Sequence, residues 1–119
     1  MHELSVTENL LRIALQHAEQ ADALRVTGLY IVAGQLASIV DDSVQFYWDI
    51  ISKGTAAEGA QLHFRRIPTE LLCLNCARRY TPTREELACP QCGSVSVKVS
   101  AGEEFYLEAI DVEEKAREL

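Results

Sequence analysis

The chain has 119 residues, enough for one modest domain or a small domain carrying a metal-stapled satellite. Its 11 basic and 18 acidic residues leave a formal charge of −7, which opposes binding to a phosphate backbone and favours protein or metal-ion partners. Hydrophobic content of 48% fits a globular chain, no apolar run approaches the roughly 18 to 20 residues that span a bilayer, and no basic segment leads into an apolar run at the N-terminus, so the expected address is the cytoplasm.

Ser5-Val6-Thr7-Glu8 has the spacing of a capping box, in which hydroxyl and carboxylate satisfy the orphan amides of a helix start. Leu11, Ala14, Leu15 and Ala18 follow at helical spacing and predict one apolar stripe to about residue 22. Leu24 to Ala37, rich in Leu, Val, Ile and Tyr and containing Gly28 and Gly34, reads as a buried strand. Asp41 or Asp42 is placed to cap a second helix from Ser43 to about Lys53, with Val44, Tyr47, Trp48 and Ile51 on its apolar face and Gly54 ending it. Ala60, Leu62 and Phe64 alternate with Gln61, His63 and Arg65, a half-buried strand.

Phe105 to Val112 predicts a further strand whose inward face the alternation leaves open: Leu107 and Ala109 point one way, Tyr106, Ile110 and Val112 the other. These elements imply an α+β fold, a small three-stranded sheet with two helices, plus an inserted four-cysteine zinc ribbon. The expected division is residues 1–68 and 101–119 as one domain and residues 69–100 as the ribbon. For the sheet to resume after the insertion, its stems near residues 68–72 and 95–102 must lie close together.

Cys73-Leu74-Asn75-Cys76 and Cys89-Pro90-Gln91-Cys92 form two C-x₂-C pairs twelve residues apart. Two intervening residues let a tight turn aim both sulfurs at one point, and two such turns complete a tetrahedral thiolate set for Zn²⁺. Gly93 directly follows the second pair, where a positive φ is often needed. Two disulfides are disfavoured without a secretory signal, one redox pair needs no second pair so spaced, and ribbon-like spacing favours zinc over an iron–sulfur cluster. Four thiolates leave no open position on the metal. The zinc would therefore hold a small segment together rather than activate water.

The chain opens Met1-His2-Glu3. A second-position histidine offers an α-amine, its own backbone nitrogen and an imidazole nitrogen in consecutive chelate rings, a nitrogen-rich set that suits square-planar Ni²⁺. The fourth donor stays open between the Glu3 amide, a side chain and a partner's ligand. His17 and His63 read as exposed or edge residues rather than ligands, and no Ser/His/Asp or Cys/His arrangement for nucleophilic catalysis stands out.

Met1-His2-Glu3-Leu4-Ser5, Gly34-x-Leu36, Gly59-Ala60 and the CxxC…CPxCG ribbon, taken together and in order, resemble the HypA/HybF hydrogenase maturation proteins. That resemblance implies a nickel metallochaperone and not an enzyme. It would load Ni(II) into the [NiFe]-hydrogenase large subunit precursor with the GTPase HypB, and in some organisms would work with urease accessory proteins. It carries His2 over as the nickel ligand, with Met1 and Glu3 contributing backbone nitrogen and Asp41 as a supporting acid. Gln35 departs from the Glu that relatives usually place after the glycine, which removes a carboxylate from that position.

Two other function classes compete. A zinc-ribbon adaptor for nucleic acid or the transcription machinery is allowed by the cysteines, but Arg65-Arg66 and Arg78-Arg79 are the only candidate basic patches in an acidic chain. An enzyme using nickel as catalytic cofactor would need a dry, preorganised cavity, which an exposed terminus does not offer.

Overall fold

A computed structural model describes residues 3–83 and 85–115. In chain order its elements are α1 (Glu3–Gln20), β1 (Ala23–Gly34), α2 (Asp41–Ile51), β2 (Gln61–Ile67), β3 (Glu70–Cys73), β4 (Arg79–Tyr80), β5 (Val97–Ala101) and β6 (Phe105–Glu114). They form two three-stranded sheets, ordered β2-β1-β6 and β4-β3-β5. The fold is α+β, as the sequence implies. None of the described helices is long and apolar enough to cross a membrane.

Packing separates two units. The first comprises Met1–Ile31, Ser38–Arg65 and Tyr106–Leu119, and the second comprises Val32–Ala37 and Arg66–Phe105. In the first, α1 buries Thr7, Leu10, Ala14 and Ala18 and packs against α2, which buries Val44 and Trp48. Val26, Leu29 and Ile31 of β1 complete this core, which explains the long apolar run read in that strand.

The helix starts differ from the capping expectations. Helix α1 already includes Glu3, so Ser5 and Glu8 are exposed residues within its first turns and form no capping box. Inside that turn the Thr7 hydroxyl donates to the Glu3 carbonyl. Helix α2 likewise starts one residue earlier than the aspartate caps require. Its N-cap is Val40, in extended conformation and without a side-chain cap bond, while Asp41 and Asp42 sit in the first turn. There their charge favours the positive end of the helix dipole. At the other end the Ser52 hydroxyl donates to the Trp48 carbonyl at 2.6 Å, and Gly54 follows at a φ of 77°.

The outer face of the first unit's sheet is polar. Arg25 pairs with Glu113, Arg65 Nη2 lies 2.9 Å from Glu108 Oε1, and the Tyr30 hydroxyl donates to Asp111 Oδ2 at 2.7 Å. His63 is exposed there and stacks on Tyr30 with ring centres 4.7 Å apart. The undecided face of β6 has a structural reason. Its covered residues change phase, from Phe105 and Leu107 to Ile110 and Val112, so neither strict alternation describes it.

In the second unit β3 is the central strand. Leu71 faces Tyr80 of β4, and Glu70, Leu71, Leu72 and Cys73 run antiparallel to Ala101, Val99, Lys98 and Val97 of β5. The two stems of the insertion are thus adjacent strands. At the base of this unit the Gly34 N–H donates to the Glu104 carbonyl (2.6 Å), Gln35 to Ile67 (2.8 Å) and Leu36 to Gly102 (2.7 Å). A Cβ on Gly34 would overlap the Gly102 carbonyl, so only glycine permits the approach.

Candidate metal centre

The four thiols come from two backbone turns. The first follows β3: the Cys73 carbonyl accepts from the Ala77 N–H at 2.9 Å, and the Cys73 N–H donates to the Arg78 carbonyl at 2.8 Å before β4 begins. The second precedes β5: the Cys89 carbonyl accepts from the Gly93 N–H at 2.8 Å, and the Cys89 N–H donates to the Ser94 carbonyl at 2.9 Å. A further bond ties them together, from the Leu74 N–H to the Ser96 carbonyl at 2.9 Å.

All four sulfurs lie within 4.8 Å of one another. Cys73 Sγ is 3.5 Å from Cys92 Sγ, and Cys76 Sγ is 3.6 Å from Cys89 Sγ. Sulfurs in a disulfide stand about 2.05 Å apart, and all four cysteines are free. A tetrahedron with metal–sulfur bonds of about 2.3 Å has edges of about 3.8 Å, close to the separations here. The thiols thus converge as a chelate rather than as pairs.

Burial and electrostatics reinforce the same reading. Cys73 and Cys89 pack with Leu71 and Tyr80 in the small apolar core of this unit, while Cys92 is exposed. The Tyr80 hydroxyl donates to the Leu87 carbonyl at 2.5 Å, closing the loop between the pairs. Cys92 accepts from the Ser94 backbone N–H and from Asn75 Nδ2 at 3.6 Å, which lowers its thiol to about 6. The Arg78 backbone N–H favours a thiolate at Cys76 too. Burial and the Cys89, Cys73 and Cys92 sulfurs outweigh it and push Cys76 up to about 12. Four sulfurs this close cannot all ionise alone, and a soft dication relieves the repulsion between the thiolates.

Of the residues expected at nickel, Met1 and His2 lie outside the described residues. Glu3 is the first residue of α1, and the Val40 backbone N–H donates to its carboxylate. Asp41 follows Val40 as the first residue of α2. Two packed helices therefore bring their starts, and these two acids, into one neighbourhood.

Comparison with known proteins follows the same lines. Residues 1–112 match the protein-family model described as "Hydrogenase/urease nickel incorporation, metallochaperone, hypA". The chain belongs to the HypA family. It is 40% identical over 117 residues to the hydrogenase maturation factor HypA of Dehalococcoides mccartyi, covering 98% of both chains. It is 39% identical over 114 residues to that of Caldanaerobacter subterraneus subsp. tengcongensis, covering 95% of this chain and 100% of the relative. The solution structure of the Ni metallochaperone HypA from Helicobacter pylori aligns with a TM-score of 0.67 at 20% identity, over 97% of this chain and 100% of that one. A second solution structure of a HypA protein aligns with a TM-score of 0.74 at 21% identity, covering 94% and 96%. HypA proteins are metallochaperone maturation factors rather than enzymes.

The structure also supplies residues that the sequence reading passed over. Gln35, read only as a missing carboxylate, accepts the Thr69 backbone N–H at 2.9 Å through its side-chain oxygen. Asn75, between the first two cysteines, donates to the sulfur of the second pair. Its place inside the C-x₂-C turn was the available signal for a bond of this kind.

Proposed function

We propose that this chain carries Ni²⁺ as cargo for [NiFe]-hydrogenase maturation and holds a structural Zn²⁺ on Cys73, Cys76, Cys89 and Cys92. His2 is the nickel ligand in this reading, with Met1 and Glu3 supplying backbone nitrogen and Asp41 supporting the site. The observation that carries it is the match to the nickel-incorporation family across residues 1–112, which spans both metal-binding segments. The four-thiol cluster supports zinc: bound there, the ion would cross-link β3 and β5 through their adjoining turns and supply folding energy to a unit with little core of its own. The meeting of Glu3 with the start of α2 supports a cargo site at the chain's N-terminal end. The partners in this reading are the GTPase HypB and the hydrogenase large subunit precursor, with urease accessory proteins as a further client route. The cytoplasm, which keeps thiols reduced, suits the cysteine set.

Titration of the zinc-loaded protein with Ni²⁺ tests the cargo site. One high-affinity nickel per chain is expected, lost in His2→Ala and in a variant extended before Met1. Undiminished 1:1 affinity in both would overturn it. Binding should weaken on acidification, because an α-amine near ~7.7–8 and an imidazole near ~6.5 must release protons.

A further inference from the structure

Each cysteine pair carries a side-chain amide directly before its second cysteine, Asn75 in the first turn and Gln91 in the second. Both amides reach across to the opposite turn. Asn75 Nδ2 donates to Cys92 Sγ at 3.6 Å, although Cys76 is its neighbour in the chain. Gln91 Oε1 accepts from Arg78 Nη1 at 3.4 Å, so its side chain ends on a guanidinium rather than on a sulfur. The target of Asn75 is also the most open of the four thiols: Cys92 is exposed, Cys76 half-buried, and Cys73 and Cys89 are buried.

We propose that Asn75 is a positioning residue for the zinc site: its amide holds the exposed Cys92 sulfur in its ligand position and shields it from attacking electrophiles. This rests on the reading of the four thiols as a zinc site. A thiolate keeps nucleophilic lone pairs while it serves as a ligand. An N–H engaged with one of them draws off charge and fixes the direction of the sulfur. Backbone donors act within each turn: the Arg78 N–H serves Cys76, the Gln91 and Cys92 N–H groups serve Cys89, and the Ser94 N–H serves Cys92. Those bonds come with the fold of the turn. The bond from Asn75 comes from the other turn and from a side chain, so it adds a restraint on Cys92 that its own turn does not provide.

The test compares the full-length zinc-loaded protein with Asn75→Ala, Asn75→Asp and Gln91→Ala. Asparagine 75 is exposed, and aspartate keeps its shape while removing the donor, so a fold defect peculiar to alanine does not decide the outcome. Gln91→Ala deletes a bond between the turns that does not end on a sulfur. Iodoacetamide is the probe, with the modified cysteine located by mass spectrometry and zinc release followed with a chromophoric chelator. Both Asn75 variants should alkylate first at Cys92 and release zinc at least about tenfold faster, while Gln91→Ala behaves as the parent. The proposal is overturned by unchanged rates in the Asn75 variants, by acceleration at Cys76 or evenly over all four cysteines, or by an equal effect of Gln91→Ala. A parent protein that holds no zinc overturns the zinc reading and this role with it, whereas a tightly loaded parent and unaltered Asn75 variants defeat this role alone.

Discussion

Ala77 and Gly93 hold the same place in two copies of one turn. Each lies one residue beyond the second cysteine of its pair, each donates its N–H to the first cysteine's carbonyl, and their φ values are 65° and 74°. The duplication extends to the sulfurs, since Cys76 accepts from the Arg78 N–H and Cys92 from the Ser94 N–H, two residues ahead in both cases. The chain therefore builds its tetrathiol by using one backbone solution twice, with a residue suited to positive φ in only one of them.

That mismatch predicts opposite outcomes for exchanging the two residues. A left-handed conformation costs a residue with a Cβ about 1–2 kcal/mol. Ala77→Gly relieves it and gives back about 0.4–1 kcal/mol as extra entropy of the unfolded chain. A net gain of about 0–1.6 kcal/mol is expected, against a net loss of about the same size for Gly93→Ala. Urea unfolding of the zinc-loaded proteins measures both, and two losses of equal size would contradict the assignment.

Removal of the zinc proposed at the four thiols should act on one unit first. The second unit's buried core among the described residues is small, formed around Leu71, Cys73, Tyr80 and Cys89. A chelator is therefore expected to abolish amide protection across β3, β4 and β5 while the far-ultraviolet signal of α1 and α2 persists. Cys73→Ser should be more damaging than Cys92→Ser, because both remove a thiol from the proposed zinc site but only Cys73 is fully buried. Zinc content after dialysis ranks the two.

Gly34→Ala should destabilise by about 1–3 kcal/mol, because the new methyl meets backbone rather than a side chain that can turn away. Gly102→Ala should do at least as much, since Gly102 combines a φ of +116° with a Cβ position 2.9 Å from Thr69 Cα. By contrast Gly54→Ala meets no neighbour and carries only its positive-φ penalty. Thermal midpoints of the three variants separate steric from conformational cost.

The Arg25–Glu113 pair gives a pH dependence of defined sign. The hydrogen bond from Arg25 lowers the Glu113 carboxyl below its ordinary value. A depressed carboxyl contributes stability above its unfolded pKa and loses it as pH falls through the folded value. Glu113→Gln should therefore narrow the stability gap between neutral and mildly acidic solution, with little effect left at low pH. The pair is exposed, so the change should be small and should shrink with added salt. A variant whose stability falls equally at every pH would show that packing, not charge, is lost.

The convergence of the four cysteines, both helices and the three strands of the first sheet were legible from sequence, for local reasons. Cysteine spacing encodes convergence within a turn. Residues such as Val44 and Trp48, four apart, mark a buried helix face without knowledge of what covers it. Tertiary structure decided what local pattern cannot. Helix α2 starts at Asp41 rather than after an aspartate cap, and packing against α1 supplies stability that a side-chain cap would otherwise have to provide. The covered residues of β6 switch phase in mid-strand, a pattern that averages to ambiguity in sequence. Gln35 gained its role from Thr69, 34 residues away. Partners that distant leave no mark on the short periods and spacings a sequence displays, because only folding brings them within hydrogen-bond reach.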